Sequence, residues 1–280
     1  MHRNNVRRTG TRRRRRRRRR APDLHLVIFF IGMTLVMFFG LRALDGVLNR
    51  TTARWEYREL RVLANVREVF YETEEGNRER YAALRNNLMQ ARGFGFGGEP
   101  PLHERTQTTI AAADLLEINP AFVGWITIDG TAVDYPVVRG VDNETYLSTT
   151  FRGTRNTSGA IFKDYRVKNA FESPLVVLYG NNVRDGTKFA SLSNFLDGDF
   201  LDHNRGIQII TAQNEVHFYY VLGARITNAA DRVYLLDFSS RAGVNEFFGQ
   251  ADGDDRFLVL STFVGNRGER LIVYARLQAP

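Results

Sequence analysis

Eighteen consecutive residues, Leu24 to Leu41 (LHLVIFFIGMTLVMFFGL), carry no formal charge and lie between Asp23 and Arg42. In a helix rising about 1.5 Å per residue the run covers about 27 Å, close to the roughly 30 Å of bilayer hydrocarbon. A helix packed on a soluble core keeps a polar stripe, and this run has none. No small-x-small cleavage site follows it in LRALDGVLNR, so a retained anchor explains it better than a removed signal peptide. Arg12 to Arg20, an unbroken arginine run, precede the span. By the positive-inside rule they hold the N-terminus in the cytoplasm of a single-pass protein, and the chain beyond about residue 45 is expected outside the membrane.

The arginine run also distorts the charge balance. The first 20 positions hold 12 of the 39 basic residues and no acid, which leaves 27 basic against 31 acidic residues, a net of −4, in the rest. A nucleic-acid-binding domain would spread basic residues over a folded face, so no nucleic-acid partner is expected. The tail has a blander role: near an anionic leaflet each arginine contributes up to about 1 kcal/mol of lipid attraction. Membrane lipids, met through the anchor and Arg12 to Arg20, are therefore the first expected partner. The chain has no cysteine, which excludes disulfides, thiolate metal sites and a cysteine nucleophile.

Five segments follow: an Arg-rich tail (1–20), the anchor (21–44), a helical region (45–92), a linker with a lead-in helix (93–118) and a β-rich domain (119–280). In the helical region Leu63, Val66 and Phe70, then Tyr81, Leu84 and Leu88, recur at spacings of three and four. Two amphipathic helices broken near Gly76 would give this pattern. It is too short for a persuasive coiled coil, so packing against the following domain is expected. GFGFGGEPP (93–101) ends any helix. From Asn119 eight short apolar or alternating runs appear, at about 123–128, 132–138, 159–163, 175–180, 207–212, 215–227, 257–262 and 270–277, with turn residues such as Asp129-Gly130 and Gln213-Asn214 between them. Regular helices do not alternate with these runs, which disfavours βαβ units and points to a closed or nearly closed β-barrel.

Several motifs in this domain resemble those of class B sortases, the membrane-anchored transpeptidases of Gram-positive bacteria. They are NPAFVGWITIDGTAVDYPVV from Asn119, DNETYL, SGAIFKDYR, LYGNNVRDGTKFASL, FLDHNRGIQI, LVLSTF and RLIVYARL, in the family's order. The resemblance implies a mostly β fold: an eight-stranded sortase-type β-barrel with N-terminal amphipathic helices and one transmembrane helix. In that family a cysteine thiolate attacks the carbonyl carbon of a threonine in a sorting peptide, a histidine handles protons, and an arginine steadies the substrate and the developing oxyanion.

This chain departs from the pattern at two of those three positions. Asn181 stands where the family motif has its histidine, and Phe263 where it has its cysteine; Arg270 alone matches. An amide does not titrate near neutral pH and a phenyl ring carries neither lone pair nor proton, so neither can inherit its predecessor's role. Ser261 and Thr262 are substitute hydroxyls that would need a base within hydrogen-bond reach. His203, in FLDHNRG, and His217, on an alternating strand, read as ordinary structural histidines. Asp164 and Asp185 fall in motif positions of structural use. No cofactor and no metal is expected.

These residues lead to a membrane-anchored, catalytically inactive class B sortase-like protein that binds a sorting-signal peptide, a surface protein or an active sortase, with Asn181, Ser261, Thr262, Phe263 and Arg270 in the groove. The alternatives are a cysteine-independent transpeptidase or hydrolase of the same family and a purely structural envelope protein. Arg270 either pairs with an acid or keeps its donors for peptide carbonyls. Phe263 either plugs the groove or anchors a ligand in it.

Overall fold

The computed structural model describes residues 24–64, 110–169, 171–238, 240–248, 255–265 and 268–278. Two units emerge, Met1–Gly46 and Val47–Pro280. Helix α1 spans Leu24–Ala64. In the first unit its large apolar side chains are exposed, from Ile28 and Phe29 to Phe39 and Leu41. The helix is long and apolar enough to cross a membrane.

In the second unit the same helix becomes amphipathic. Ala53, Tyr57, Leu60 and Ala64 are buried, spaced by four, three and four residues as one helical face requires. That face packs on the β domain, as expected for a helical region without a coiled-coil partner. The hydroxyl of Tyr57 donates to Gly159 O (3.0 Å) and accepts from Phe151 N (3.2 Å), and its ring meets Tyr135 edge-on at 5.3 Å. Arg54 pairs with Asp185 at 2.9 Å and Arg61 with Asp134 at 2.8 Å. Of the helical positions expected from spacing, Leu63 is half-buried against this core. Val66, Phe70, Tyr81, Leu84, Leu88 and the break near Gly76 lie outside the described residues.

Helix α2 (Ala112–Ile118) leads into the barrel. Its strands are β1 (Phe122–Ile128), β2 (Asp134–Arg139), β3 (Ile161–Lys163), β4 (Leu175–Tyr179), β5 (Gly206–Thr211), β6 (Val216–Asn228), β7 (Phe257–Val264) and β8 (Glu269–Leu277). Helices α3 (Gly198–His203) and α4 (Arg241–Phe248) interrupt the series. The barrel closes in the order β1-β2-β3-β4-β7-β8-β6-β5. β2/β3 and β4/β7 are parallel and the other neighbours antiparallel. The eight runs read from the sequence are these strands, with ends moved by a few residues at most.

β4 (LVVLY) is buried throughout, and so is β7 until Phe263. Central strands covered on both faces read as continuous apolar runs, which is why neither alternates in sequence. Trp125, wholly buried on β1, donates its Nε1–H to Asp134 at 2.7 Å, giving the indole its polar partner inside the core. Parallel pairing brings the C-terminal ends of β4 and β7 to the same rim, with Tyr179 beside Ser261. The antiparallel return of β8 sets Arg270 opposite Phe263. Three segments separated by up to about 90 residues of sequence thus converge on one rim.

Candidate functional site

The β7 end supplies Ser261, Thr262 and Phe263. The Oγ of Ser261 lies 2.8 Å from the hydroxyl of Tyr234, on the 3-10 turn Arg232–Tyr234. Both residues are buried. Thr262 is buried as well, and its Oγ1 has no hydrogen-bond partner. Phe263 breaks the buried pattern at 41% exposed. The guanidinium of Arg270 stacks against the rings of Phe263 and Tyr234, its central carbon 4.5 Å and 5.2 Å from their centroids. Its Nε is shielded from solvent and also lacks an acceptor.

These residues line a cleft of about 160 Å³, together with Asn143, Leu147, Phe162, Tyr179, Gly180 and Ala229. A second cleft of about 270 Å³ is lined by Thr157, Asn181, Asn182, Val183, Arg184 and Phe263. Phe263 lines both.

On the β3–β4 side Asn181, Asn182 and Asp164 are engaged by neighbouring groups. Asn181 donates its amide to Leu147 O at 2.8 Å and Thr157 O at 3.0 Å, tying two loops together. Gly159, held at φ +61°, makes room for this clamp: a Cβ there would stand 2.5 Å from Tyr146 O and 3.0 Å from Asn181 Nδ2. Asn182 donates to Phe263 O at 3.1 Å and joins the β4 exit to the β7 end.

Asp164, wholly buried, accepts from Arg166 Nε (2.9 Å) and Nη2 (2.8 Å), Asn143 Nδ2 (3.0 Å) and Tyr179 OH (2.9 Å). Burial by itself would raise the Asp164 pKa. The bonds from Arg166, and then from Tyr179, outweigh it and hold the carboxyl below its ordinary value. Arg166 Nη1 also donates to Tyr234 O at 3.1 Å, so this ion pair steadies the turn that carries Tyr234 to the cleft.

The structure therefore brings Ser261, Thr262, Phe263 and Arg270 together and sets Asn181 across Phe263 from them. It leaves both histidines elsewhere: His203 bonds to Asp199 O on α3, and His217 lies on β6 near Glu215 and Phe171. Asp185 binds Arg54 and Thr187. Among the described residues no cluster of metal-ligating side chains occurs. Sequence reasoning missed Tyr234 and Asn143 in the cleft. Neither carries a local signal, because the first arrives on a turn far along the chain and the second through a loop bond to Asp164.

Chemically, the cleft offers donors rather than a nucleophile and base. The hydroxyl closest to a basic role, Tyr234 beside Ser261, has its pKa raised by burial, so it stays a neutral phenol near neutral pH and cannot deprotonate a serine. Of the two fates open to Arg270, pairing with an acid is not the one observed among the described residues: its guanidinium lies against the rings of Phe263 and Tyr234 and interacts with the Tyr234 hydroxyl, while its Nε has no acceptor. Asp231, on the adjoining turn, is engaged by Arg225 at 2.6 Å and by Thr227.

No protein-family model matches the chain. It is 32% identical to sortase B of Listeria monocytogenes over 160 residues, 53% of this chain and 65% of that protein, just under two thirds of the relative's length. The sortase B structure of Clostridium perfringens superposes with a TM-score of 0.54 at 27% identity, covering 60% of this chain and 99% of that one. The Staphylococcus aureus sortase B–substrate complex shares the fold, with a TM-score of 0.57 at 23% identity, covering 82% of this chain and 98% of that one. The eight-stranded barrel closing in this order and these likenesses together show a sortase B-like fold and support kinship with the class B sortases.

Proposed function

We propose that this protein is a membrane-anchored, catalytically silent sortase relative that binds a sorting-type peptide in the groove where β4, β7 and β8 end. The observation that carries the reading is the asymmetry of the three inherited positions. Asn181 is engaged by backbone carbonyls and Phe263 offers a bare ring, while Arg270 keeps a donor without an acceptor. Removal of both reacting groups argues against turnover, because members of a catalytic unit can each be worth about a millionfold in rate. A related sortase B has been solved as a substrate complex, which supports a peptide as the ligand class.

The test is calorimetric titration of the full chain in detergent with a class B sorting-signal peptide. Binding without cleavage or transfer to an amine is expected, and Arg270→Ala weakens it by about 1–3 kcal/mol, the scale for losing bonds to a charged donor. Arg270→Lys recovers only part, because a point charge does not reproduce the guanidinium fork. Turnover that survives further purification, or absence of binding, ends the proposal. In this reading the barrel lies on the extracytoplasmic side, which the arginine tail before the apolar run supports by the positive-inside rule. Protease added to intact cells should then digest the barrel and spare the tail, and protection of residues 119–280 would reverse the orientation.

A further inference from the structure

In the smaller cleft no ion pair between Arg270 and an acid is seen among the described residues. The acids of the neighbouring elements are committed elsewhere, Asp164 to Arg166, Asn143 and Tyr179, and Asp231 to Arg225 and Thr227. Arg270 Nε–H is desolvated without an acceptor, and so is the hydroxyl of Thr262, which is 98% buried and lines the same cleft. A desolvated donor with no acceptor is an uncompensated cost that native structures rarely carry without a reason. Stacking on Phe263 and Tyr234 occupies faces of the guanidinium and leaves its in-plane N–H edge as the part able to meet a ligand.

A planar carboxylate is the group that matches such an edge, since it brings the missing negative charge and two acceptor oxygens. A peptide carbonyl brings one acceptor and no charge. The cleft, at about 160 Å³, suits the end of a chain better than its middle. Phe263 lines both this cleft and the one lined by Asn181 and Arg184, which sets its bulk where the two clefts meet.

Building on the groove reading above, we propose that the preferred ligand is a peptide ending in a free α-carboxylate, seated on Arg270 and Thr262 with its last residue against Phe263. The protein would thus take peptides already cut, where a transpeptidase takes them intact. No bond is made or broken on binding.

Three forms of one class B sorting-signal peptide test this on the unaltered full chain in detergent: cut after its threonine as the free acid, cut there as the C-terminal amide, and uncut. The free acid is expected to bind at least tenfold more tightly than either other form, with the preference lost in Arg270→Gln. Equal affinity for all three, or tighter binding of the uncut form, overturns the carboxylate proposal and leaves the groove reading standing. Binding of none overturns both. Because the decisive comparison varies the peptide and not the protein, a misfolded variant cannot decide it.

Discussion

The two sides of Phe263 treat their polar groups in opposite ways. Toward β3 and β4, Asn181, Asn182 and Asp164 engage their partners and bind one part of the fold to another. Toward β7 and β8, Thr262 Oγ1 and Arg270 Nε have none. A groove drifting without function would be expected to lose open donors as readily on one side as on the other, since each is a burden on stability. The position that matches the family's histidine has become a structural clamp, whereas the position that matches its arginine has kept free binding capacity. Under the proposed function, loss of chemistry and retention of recognition would be separable within a single rim.

The largest effect that could break this contrast is restored turnover. Asn181→His combined with Phe263→Cys should raise cleavage of a sorting peptide from background by about a hundredfold or more, the lower range of a positioned acid–base group, as read by product chromatography. Each single restoration should stay at background, since a thiol without a base and a base without a thiol complete no unit. Asn181→His alone should also lower the unfolding midpoint, because one imidazole cannot replace both amide bonds to Leu147 and Thr157. A double variant that folds and remains silent would show that the clamp, and not only the two missing groups, has abolished the chemistry.

A smaller effect sharpens the structural half of the contrast. Asp164→Ala should destabilise the domain by about 3 kcal/mol in denaturant titration, the low end for breaking a buried pair, because Arg166 keeps a route to water. The pH dependence has a fixed sign. The folded carboxyl titrates below its ordinary value of about 3.9, so its contribution is complete above that pH and is lost as the pH falls through the folded value. The variant should accordingly lose less stability than the parent across that acid window. By contrast Arg270→Ala should lower the unfolding midpoint less, since it gives up stacking on Phe263 and Tyr234 but no buried ion pair. Equal destabilisation by both substitutions would erase the distinction between the two sides.

Much of this was readable from residues in order. The uncharged run at Leu24–Leu41 marks the helix able to span a membrane, because the bilayer sets a length that composition must satisfy. Short apolar runs mark all eight strands, because strand burial depends on local pattern, and the motif string marks the family. The absence of cysteine and the presence of Asn181 and Phe263 at the two motif positions are legible with no coordinates at all.

What the chain alone did not reveal depends on contacts between distant segments. The helix beyond the apolar run buries Ala53, Tyr57, Leu60 and Ala64 on the barrel, a face partly made of alanine that hydrophobic spacing does not advertise. Lys188, in an ordinary motif, turns out wholly enclosed at φ +58°, its ammonium 2.9 Å from the centroid of the Tyr57 ring; burial lowers its pKa well below the ordinary value. Asn181 could be recognised as a lost base, but only the approach of Leu147 and Thr157 makes it a clamp. Phe263 could be recognised at the motif's cysteine position, but only the pairing of β7 with β8 lays Arg270 against its ring, and only packing makes it line two clefts. Local sequence determines which chemistry a side chain has available. Its partners, and so whether that chemistry is engaged or left open, are set by packing among residues far apart in the chain.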